Sequence, residues 1–307
     1  MSDTPDLGAP PERVDVSAEL VGRLVAAQFP QWAGLPVTPV ARGGWDNFTF
    51  HLGAELSVRM PSAAEYALAV EKEHRWLPEL APRLPLPVST PVAKGQPGEG
   101  YPFPWSVYSW LDGETARADR IADPVRFAGD LAGFLAALRR VDPAYGPRPG
   151  THNWFRGGTL RTFDNIVREA LAALAGRVDG DLVAEMWRDA LGTPWDGAES
   201  WLHGDVARGN LLVRGGRLAA VIDFGTCGVG DPACDLAVAW TLLTVEGRRV
   251  FRAALGVDDA EWARGRGWAL WKTLSTCAYS VDDVDEDAED ARRVLDGILG
   301  EYAAGLA

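Results

Sequence analysis

The stretch of the chain richest in reactive side chains is WLHGDVARGNLLV, residues 201–213. It places His203, Asp205, Arg208 and Asn210 between two apolar runs. An ordinary turn needs little more than a glycine and one Asn or Asp, so this loop carries more polar chemistry than its shape requires. An aspartate in such a loop can accept a proton from a hydroxyl group, which is the chemistry of a general base.

A second acidic group follows in IDFG, residues 222–225. The segment that follows Asn210 and ends at Asp223, residues 211–223, has the pattern of a β-hairpin that turns at Gly215 and Gly216. Because a hairpin brings its two ends together, Asn210 and Asp223 can approach one point. An amide oxygen and a carboxylate are ligands suited to Mg²⁺, which binds few protein groups together with substrate phosphates. The spacing therefore predicts a magnesium site beside Asp205.

Together, these motifs resemble the catalytic loop and metal-binding segment of the aminoglycoside phosphotransferase family, relatives of the protein kinases. The segment GDPACDLA, residues 230–237, is also similar to the family. The resemblance covers most of the chain and is most specific over residues 203–237. It implies that Asp205 is the catalytic base, that Asn210 and Asp223 hold Mg²⁺ between the nucleotide phosphates, and that His203 supports the loop. It also implies that Asp231 and Asp235 brace the catalytic loop through hydrogen bonds.

The same resemblance assigns nucleotide binding to the first third of the chain. The loop over the phosphates is ARGGWDNFTF, residues 41–50, with Gly43, Gly44 and Asn47. In the hinge SWLDG, residues 109–113, the backbone carbonyl of Ser109 and the backbone N–H of Leu111 would grip the base.

Arg59, in VRMP, stands where kinases carry a phosphate-binding lysine on a strand. No lysine is expected on a nearby strand, and Lys72 falls in a predicted helix. A guanidinium can bind phosphate through two parallel hydrogen bonds, so Arg59 can supply the positive charge. The resemblance implies Glu73 as the carboxylate that orients it, with Glu71 as the alternative.

Hydrophobic periodicity places these motifs on elements. It predicts a helix at 16–29 capped by Ser17, strands over 36–60 and at WSVYSWL, and a helix over 63–81. Further helices start at Asp123-Pro124, within 160–191 and after residue 233. We therefore predict an α+β fold of the bilobal protein kinase type. A disordered lead-in, 1–15, precedes a strand-rich N-lobe, 16–111, and a larger helical C-lobe, 112–307.

Composition limits the partners and the compartment. The chain of 307 residues has a net charge of −13, which disfavours nucleic acid and anionic membranes as partners. An acidic surface favours a cationic small molecule if it lines a cleft, or merely aids solubility. Three cysteines without a CxxC pattern, and no apparent signal peptide or membrane span, predict a cytoplasmic protein.

We therefore predict an enzyme that transfers the γ-phosphoryl group of ATP or GTP, with Mg²⁺, to a hydroxyl of a small molecule. A cationic acceptor such as an aminoglycoside would be attracted by the acidic tract at 281–290. The alternatives are a macrolide, a sugar or a choline-like amino alcohol as acceptor, or a degenerate kinase that binds nucleotide without catalysis. The sequence does not indicate an oligomeric state. Trp154 is assigned to core packing rather than to a substrate pocket.

Overall fold

The computed structural model describes residues 11–41, 43–195, 197–283 and 285–305. Its strands are β1 Val37–Pro39, β2 Asn47–Leu52, β3 Leu56–Pro61, β4 Pro91–Gly95, β5 Trp105–Ser109, β6 Glu114–Thr115, β7 Ser200–Leu202, β8 Leu211–Arg214, β9 Arg217–Val221 and β10 Gly228–Gly230. Its helices are α1 Ala18–Gln28, α2 Ala64–Leu80, α3 Pro124–Arg139, α4 Asp164–Ala173, α5 Gly180–Gly192, α6 Val238–Thr241, α7 Val245–Leu255, α8 Asp259–Tyr279 and α9 Glu286–Ala303.

The first third of the chain forms an antiparallel sheet with the strand order β1-β2-β3-β5-β4. Phe48, Phe50 and Leu52 of β2 alternate with polar residues and all contact one hydrophobic cluster, as expected for a strand with one face on a core. Helix α1 starts where predicted, because the Ser17 hydroxyl accepts the Leu20 N–H at 3.2 Å. Apolar side chains of α1 and the sheet form one hydrophobic cluster.

Most of the remaining chain is helical and packs around a second, larger hydrophobic cluster. Leu77 and Leu80 of α2 and Tyr108 of β5 also belong to this cluster, so the second half of α2 lies against the helical part. The predicted division into a strand-rich part and a helical part is present. The limits 16–111 and 112–307 remain our proposal for the two lobes. None of the helices in the described ranges combines the length and apolar character needed to cross a bilayer.

The predicted hairpin is formed by β8 and β9. Leu211 pairs with Val221, and the Ile222 N–H donates to the Asn210 carbonyl at 2.9 Å. Both turn glycines have positive φ, and a Cβ on Gly216 would lie only 2.5 Å from the Ala122 Cβ. The tight turn and its register therefore fix the two ends of the hairpin beside each other.

Residues 11–15 of the predicted disordered lead-in make contacts with the sheet part. The Val14 N–H donates to the Ser62 carbonyl at 2.8 Å, and the Arg13 guanidinium lies 5.3 Å from the Trp45 ring centroid. Val14 also packs against the cluster of α1 and the sheet. These contacts hold the segment in place. Residues 1–10 of the lead-in lie outside the described part of the chain.

Candidate active site

The catalytic loop is held by His203 and Asp235, both of which are almost fully buried. The Asp235 carboxylate accepts the backbone N–H groups of His203 and Gly204, each at 2.8 Å. The Asp205 N–H donates to His203 Nδ1 at 3.2 Å, so the other ring nitrogen carries the proton and donates to the Ile222 carbonyl at 3.0 Å. His203 thus ties the catalytic loop to the segment that carries Asp223, as its predicted supporting role requires.

Glycine is needed at the centre of this loop. Gly204 has a φ of +85°, and a Cβ there would lie 2.5 Å from the Thr226 carbonyl oxygen. A larger residue would therefore push the loop away from the strand end that faces it.

Asp231 does not brace the catalytic loop, so this part of the expectation is wrong. Its carboxylate pairs with Arg264 of α8 at 2.7 Å and accepts the Ala233 N–H at 3.1 Å. The reason is geometric, because Asp231 starts the 3-10 turn that precedes α6 and faces α8. Asp231 holds that turn, and through Asp235 the turn holds the loop.

The Asp205 carboxylate is fixed on both oxygens. Lys272 of α8 pairs with Oδ1, and the Asn210 side-chain amide donates to Oδ2 at 3.0 Å. Burial by itself would raise the pKa of Asp205. The charge and hydrogen bond of Lys272, supported by Arg156 and His203, outweigh burial and lower the pKa to about 2. Asp205 is therefore an ionised carboxylate that can accept and orient a hydroxyl group.

Asn210 lies opposite Ile222 at the open end of the hairpin, with Asp223 next along the chain. The Asn210 Nδ2 group is turned toward Asp205, donating to its carbonyl at 2.9 Å as well as to its carboxylate, which leaves the amide oxygen for another partner. Asp223 has a φ of +65°, and its side chain is 40% exposed. Backbone in the left-handed region at an aspartate is a feature often found at functional sites.

Asp46 adds a carboxylate that the sequence patterns did not single out. Burial and then the negative charge of Asp223, together with that of Asp205, raise the pKa of Asp46 to about 6, against the opposing effect of Arg59 and Arg156. The charges of these aspartates therefore repel one another, and a cation bound among them would reduce that repulsion.

The donor set fits Mg²⁺. The described residues contain no group of three or more His, Cys, Asp or Glu arranged to hold a metal. A magnesium ion bound mainly through nucleotide phosphates needs only one or two protein groups. An amide oxygen on Asn210 and a carboxylate on Asp223 meet that requirement.

Arg59 lies between the two carboxylates that the resemblance associates with it. Its guanidinium is 3.4 Å from Glu73 and 2.5 Å from Asp223. The Tyr108 hydroxyl donates to the other oxygen of Glu73 at 2.6 Å, which fixes this buried carboxylate. Glu71, the alternative, lies on the exposed side of α2 and pairs with Lys94 at 2.8 Å.

Lys94 corrects the expectation that no lysine lies on a nearby strand, because it belongs to β4 of the same sheet. Its partner Glu71 is exposed, so Lys94 lies outside the site. Arg59 on β3 thus remains the cation beside Glu73 and Asp223.

The remaining residues predicted to bind nucleotide lie near the ends of two interior strands, at opposite ends of the sheet. Gly43 and Gly44 are exposed and precede β2, which Asn47 opens opposite Pro61. Space for a Cβ exists at both glycines, so packing does not require them. Ser109 ends β5, and the N–H of Leu111 beyond it donates no hydrogen bond within the described chain. These positions suit backbone contacts to a nucleotide, and their roles remain proposals.

Lys72 is a buried lysine that joins α2 to two loops of the helical part. Its ammonium donates to the Gly225 carbonyl at 2.6 Å and to the His152 carbonyl at 3.0 Å. It also lies 3.2 Å from His152 Nδ1. Burial lowers the pKa of Lys72, yet its three donors all have partners. Because Gly225 follows directly after Asp223 and Phe224, Lys72 fixes the segment that carries the predicted metal ligand.

Replacing Lys72 with methionine should remove this connection. We expect a loss of about 1–3 kcal/mol in the free energy of unfolding, because two carbonyls lose their donor. We also expect about tenfold lower kcat from misplacement of Asp223. Denaturant unfolding and steady-state kinetics measure the two effects. Lys94→Met is the matched control on the exposed face, and equal effects of both substitutions would contradict the role of Lys72.

A small cavity opens beside Asp205 on the side of α8. Its wall is formed by the catalytic loop, the turn before α6, Trp268, Trp271 and Lys272 of α8, and Arg156. The pattern of α8 could have indicated this face, because these three residues recur at helical spacing. Nothing in the sequence linked them, or Arg156, to the catalytic loop.

Trp154 does not lie in the core to which we assigned it. It is partly exposed, has a φ of +52° and contacts Tyr66 of α2 with tilted rings whose centroids are 5.6 Å apart. Tyr66 in turn accepts a hydrogen bond from the Trp45 indole at 3.0 Å. Trp154 thus belongs to an aromatic contact between the sheet part and the helical part.

Three carboxylates of the acidic tract at 281–290 already have partners within the protein. Asp282 pairs with Arg177, and Asp290 pairs with Arg208 and Arg293. Asp285 caps α9 by accepting the Ala288 N–H at 2.8 Å. These carboxylates are therefore engaged in the protein's own structure, which reduces the charge available for a cationic ligand.

Comparisons with known proteins agree with the order and geometry of these groups. The model of the phosphotransferase enzyme family matches residues 37–268. The structure of aminoglycoside 2'-phosphotransferase-IIIa with GDP superimposes with a TM-score of 0.71 at 17% identity, covering 94% of this chain and 100% of that one. The apoenzyme of macrolide 2'-phosphotransferase MphH from Brachybacterium faecium superimposes with a TM-score of 0.58 at 22% identity, covering 91% and 97%. No curated protein sequence matches significantly.

The structural matches confirm the predicted α+β fold of the bilobal protein kinase type. The family match spans more than half of the chain and includes both the Arg59 strand and the catalytic loop. The chain therefore belongs to the phosphotransferase enzyme family and is a phosphotransferase that acts on hydroxyl groups.

Proposed function

We propose that this phosphotransferase moves the γ-phosphoryl group of ATP or GTP to a hydroxyl of a small molecule that enters between Asp205 and α8. The observation that carries the proposal is the meeting of Asp205, Asn210 and Asp223 at one end of a hairpin, with Arg59 paired to Asp223. Complexes of related structures with GDP and with ADP support a nucleoside triphosphate as donor.

Each residue has a separate task in the transfer. Asp205 accepts the hydrogen bond of the acceptor hydroxyl and then its proton. The hydroxyl oxygen forms a bond to the γ-phosphorus, while the bond from that phosphorus to the β–γ bridging oxygen breaks. The nucleoside diphosphate leaves with the electron pair. Arg59, held by Glu73, neutralises phosphate charge, and the backbone of Gly43, Gly44, Asn47, Ser109 and Leu111 positions the nucleotide.

Asn210 and Asp223 would hold Mg²⁺. When bound, the ion neutralises charge on the nucleotide phosphates and fixes their orientation. Asn210 is held for this task by Asp205, and Asp223 by Arg59 and by the segment that Lys72 fixes.

The metal requirement is the direct test of this assignment. We expect nucleotide-dependent phosphorylation to stop on chelation with EDTA and to return on addition of Mg²⁺. Asp223→Asn should raise the Mg²⁺ concentration for half-maximal rate by about 10–100-fold, because one ligand loses its charge. A coupled assay for nucleoside diphosphate, run over a magnesium series, gives this value. An unchanged magnesium requirement in Asp223→Asn would show that the metal ligand is elsewhere.

The sequence suggests either an aminoglycoside or another small alcohol as the acceptor, and the charges at the site favour the other small alcohol. An aminoglycoside is suggested by the family and by related structures, one of them a complex with GDP and kanamycin, and by the net charge of −13. Against it, Lys272 and Arg156 place positive charge beside Asp205. We therefore propose a small alcohol that is not a polycation as the acceptor and retain the aminoglycoside as the second candidate.

A degenerate kinase that only binds nucleotide remains the alternative from another class. The feature of the sequence that favours a degenerate kinase is Arg59 in place of the usual lysine. The pairing of Arg59 with Glu73 at 3.4 Å weakens this argument. Phosphorylated acceptor, detected by mass spectrometry, separates an active enzyme from a nucleotide-binding protein.

We also propose that the protein works in the cytoplasm. Its three cysteines, Cys227, Cys234 and Cys277, are unpaired and buried, as suits a reducing compartment. The proposed partners are the nucleotide and the acceptor, without nucleic acid or membrane, in keeping with the acidic surface.

A further inference from the structure

The cavity beside Asp205 contains an arginine that forms no direct ion pair with a described residue, since the carboxylates of Asp205 and Asp46 act on it only from beyond ion-pair distance. The guanidinium of Arg156 forms no ion pair within 4.0 Å and donates no hydrogen bond in the described part of the chain. It lies instead against the Trp271 ring, 4.4 Å from the centroid, with Phe163 and Trp268 farther away. A partly buried guanidinium without a carboxylate in direct contact is uncommon, because charges are normally paired when they leave water.

The backbone around Arg156 is built to hold it there. Trp154 and Phe155 both adopt left-handed φ values, +52° and +57°, which bulky residues rarely adopt. The fully buried Asn153 maintains this conformation, since it accepts the Gly150 N–H and donates to the Arg156 carbonyl, each at 3.0 Å. Strain of this kind persists where the surrounding structure fixes it, often at functional sites.

Lys272 supplies a second positive charge on the same wall. It reaches Asp205 from α8, and its side chain is 32% exposed. The face of α8 toward the cavity otherwise carries Trp268 and Trp271, and none of the residues that line the cavity besides Asp205 is acidic. A polycationic acceptor would meet like charges at this point, whereas an anionic group would find two unlike ones.

The nucleotide phosphates are not the natural partner of Arg156. The residues that we assign to the phosphates, Arg59 and Asp223, do not line this cavity. Arg156 approaches Asp205 from the side of α8, where the acceptor has to enter.

On the basis of the proposed function, we infer that the acceptor bears an anionic oxygen group, a carboxylate or a phosphate ester, in addition to the hydroxyl that is phosphorylated. Arg156 binds this group, and Lys272 turns from Asp205 to share it. The indole rings of Trp268 and Trp271 enclose the apolar part of the molecule. Loss of the Lys272 contact frees the Asp205 oxygen for the acceptor hydroxyl, so binding of the anion and readiness for transfer are coupled.

The test uses matched alcohols that differ only in charge. The aromatic set is 4-(hydroxymethyl)benzoate, its carboxamide and 4-(aminomethyl)benzyl alcohol. The aliphatic set is 4-hydroxybutanoate and 4-aminobutan-1-ol. The phosphate ester is 4-hydroxybutyl phosphate, and kanamycin is the polycation. Binding to the full-length protein with Mg²⁺ and a non-hydrolysable ATP or GTP analogue is measured by calorimetry and thermal shift, and turnover by phosphorylated product. We expect the anion of each set to bind at least about tenfold more tightly than its amine, as for a charged hydrogen bond.

Variants identify the group responsible. Arg156→Gln should abolish the preference for the anion, Arg156→Lys should keep most of it, and the exposed Arg161→Gln, from the same part of the chain, should leave it unchanged. If Arg156→Gln does not fold, the comparison of Arg156→Lys with wild type still tests the site, because the anion preference must survive in both.

Failure of this inference is distinguishable from failure of the proposed function. Tighter binding of the amines or of kanamycin, with turnover, overturns the anionic acceptor but leaves the phosphotransferase intact. An equal loss for every acceptor in Arg156→Gln also overturns it and assigns Arg156 to the phosphoryl group. If no compound is phosphorylated, the order of binding affinities still tests whether the site prefers an anion. A carboxylate that binds no more tightly than its matched amine overturns the inference.

Discussion

Asp205→Asn is expected to lower kcat by about 10²–10⁴-fold while nucleotide affinity stays nearly unchanged. Asparagine has almost the same size, and its amide oxygen can still accept the Asn210 hydrogen bond, which spans 3.0 Å to the present carboxylate. It cannot take up the proton of the acceptor hydroxyl, and its neutral side chain no longer pairs with Lys272. Rapid-quench kinetics with saturating nucleotide and acceptor measures the chemical step directly.

The pattern of kinetic constants identifies the cause. A group that acts only in the transition state lowers kcat and kcat/KM together. The exposed Asp282→Asn is the matched control, because it makes the same chemical change away from the site. Turnover of Asp205→Asn close to wild type would remove Asp205 from the role of base.

Arg59→Met is expected to lower kcat/KM for the nucleotide by about 10²–10³-fold, because a preorganised positive charge at the phosphates is lost. The same change leaves Glu73, whose side chain is only 4% exposed, without its cation. We therefore also expect a loss of about 3–5 kcal/mol in the free energy of unfolding, as for a broken buried ion pair. Kinetics well below the melting temperature and denaturant unfolding measure the two effects separately.

Arg59→Lys tests whether the arginine is a true replacement for the strand lysine of kinases. A lysine keeps the charge but not the planar fork that meets Glu73 and Asp223 together. We expect activity between that of Arg59→Met and wild type. The exposed Arg23→Met, which loses only its surface pair with Glu99, serves as the control. If Arg59→Met binds and turns over nucleotide like this control, Arg59 does not contact the phosphates.

Local sequence patterns were enough to predict the hairpin and the groups at its ends. Asp205, Asn210 and Asp223 lie on one short segment, so the turn at Gly215 and Gly216 is enough to bring them together. Helix starts were equally local, because the Ser17 and Asp123 caps bond within their own first turns. The contacts of Arg13 and Val14 could not be predicted in this way, since their partners in the sheet part are distant along the chain.

The charged residues that join these groups could be identified only from the packing of separate elements. Glu71 and Glu73 lie on the same helix, and packing of α2 alone turns Glu73 toward Arg59 and Glu71 toward Lys94. Lys272 and Arg156 reach Asp205 from α8 and from a strained loop, far away along the chain. Local patterns reveal groups that one turn brings together, whereas the charge of the acceptor site depends on side chains that meet only when separate elements pack.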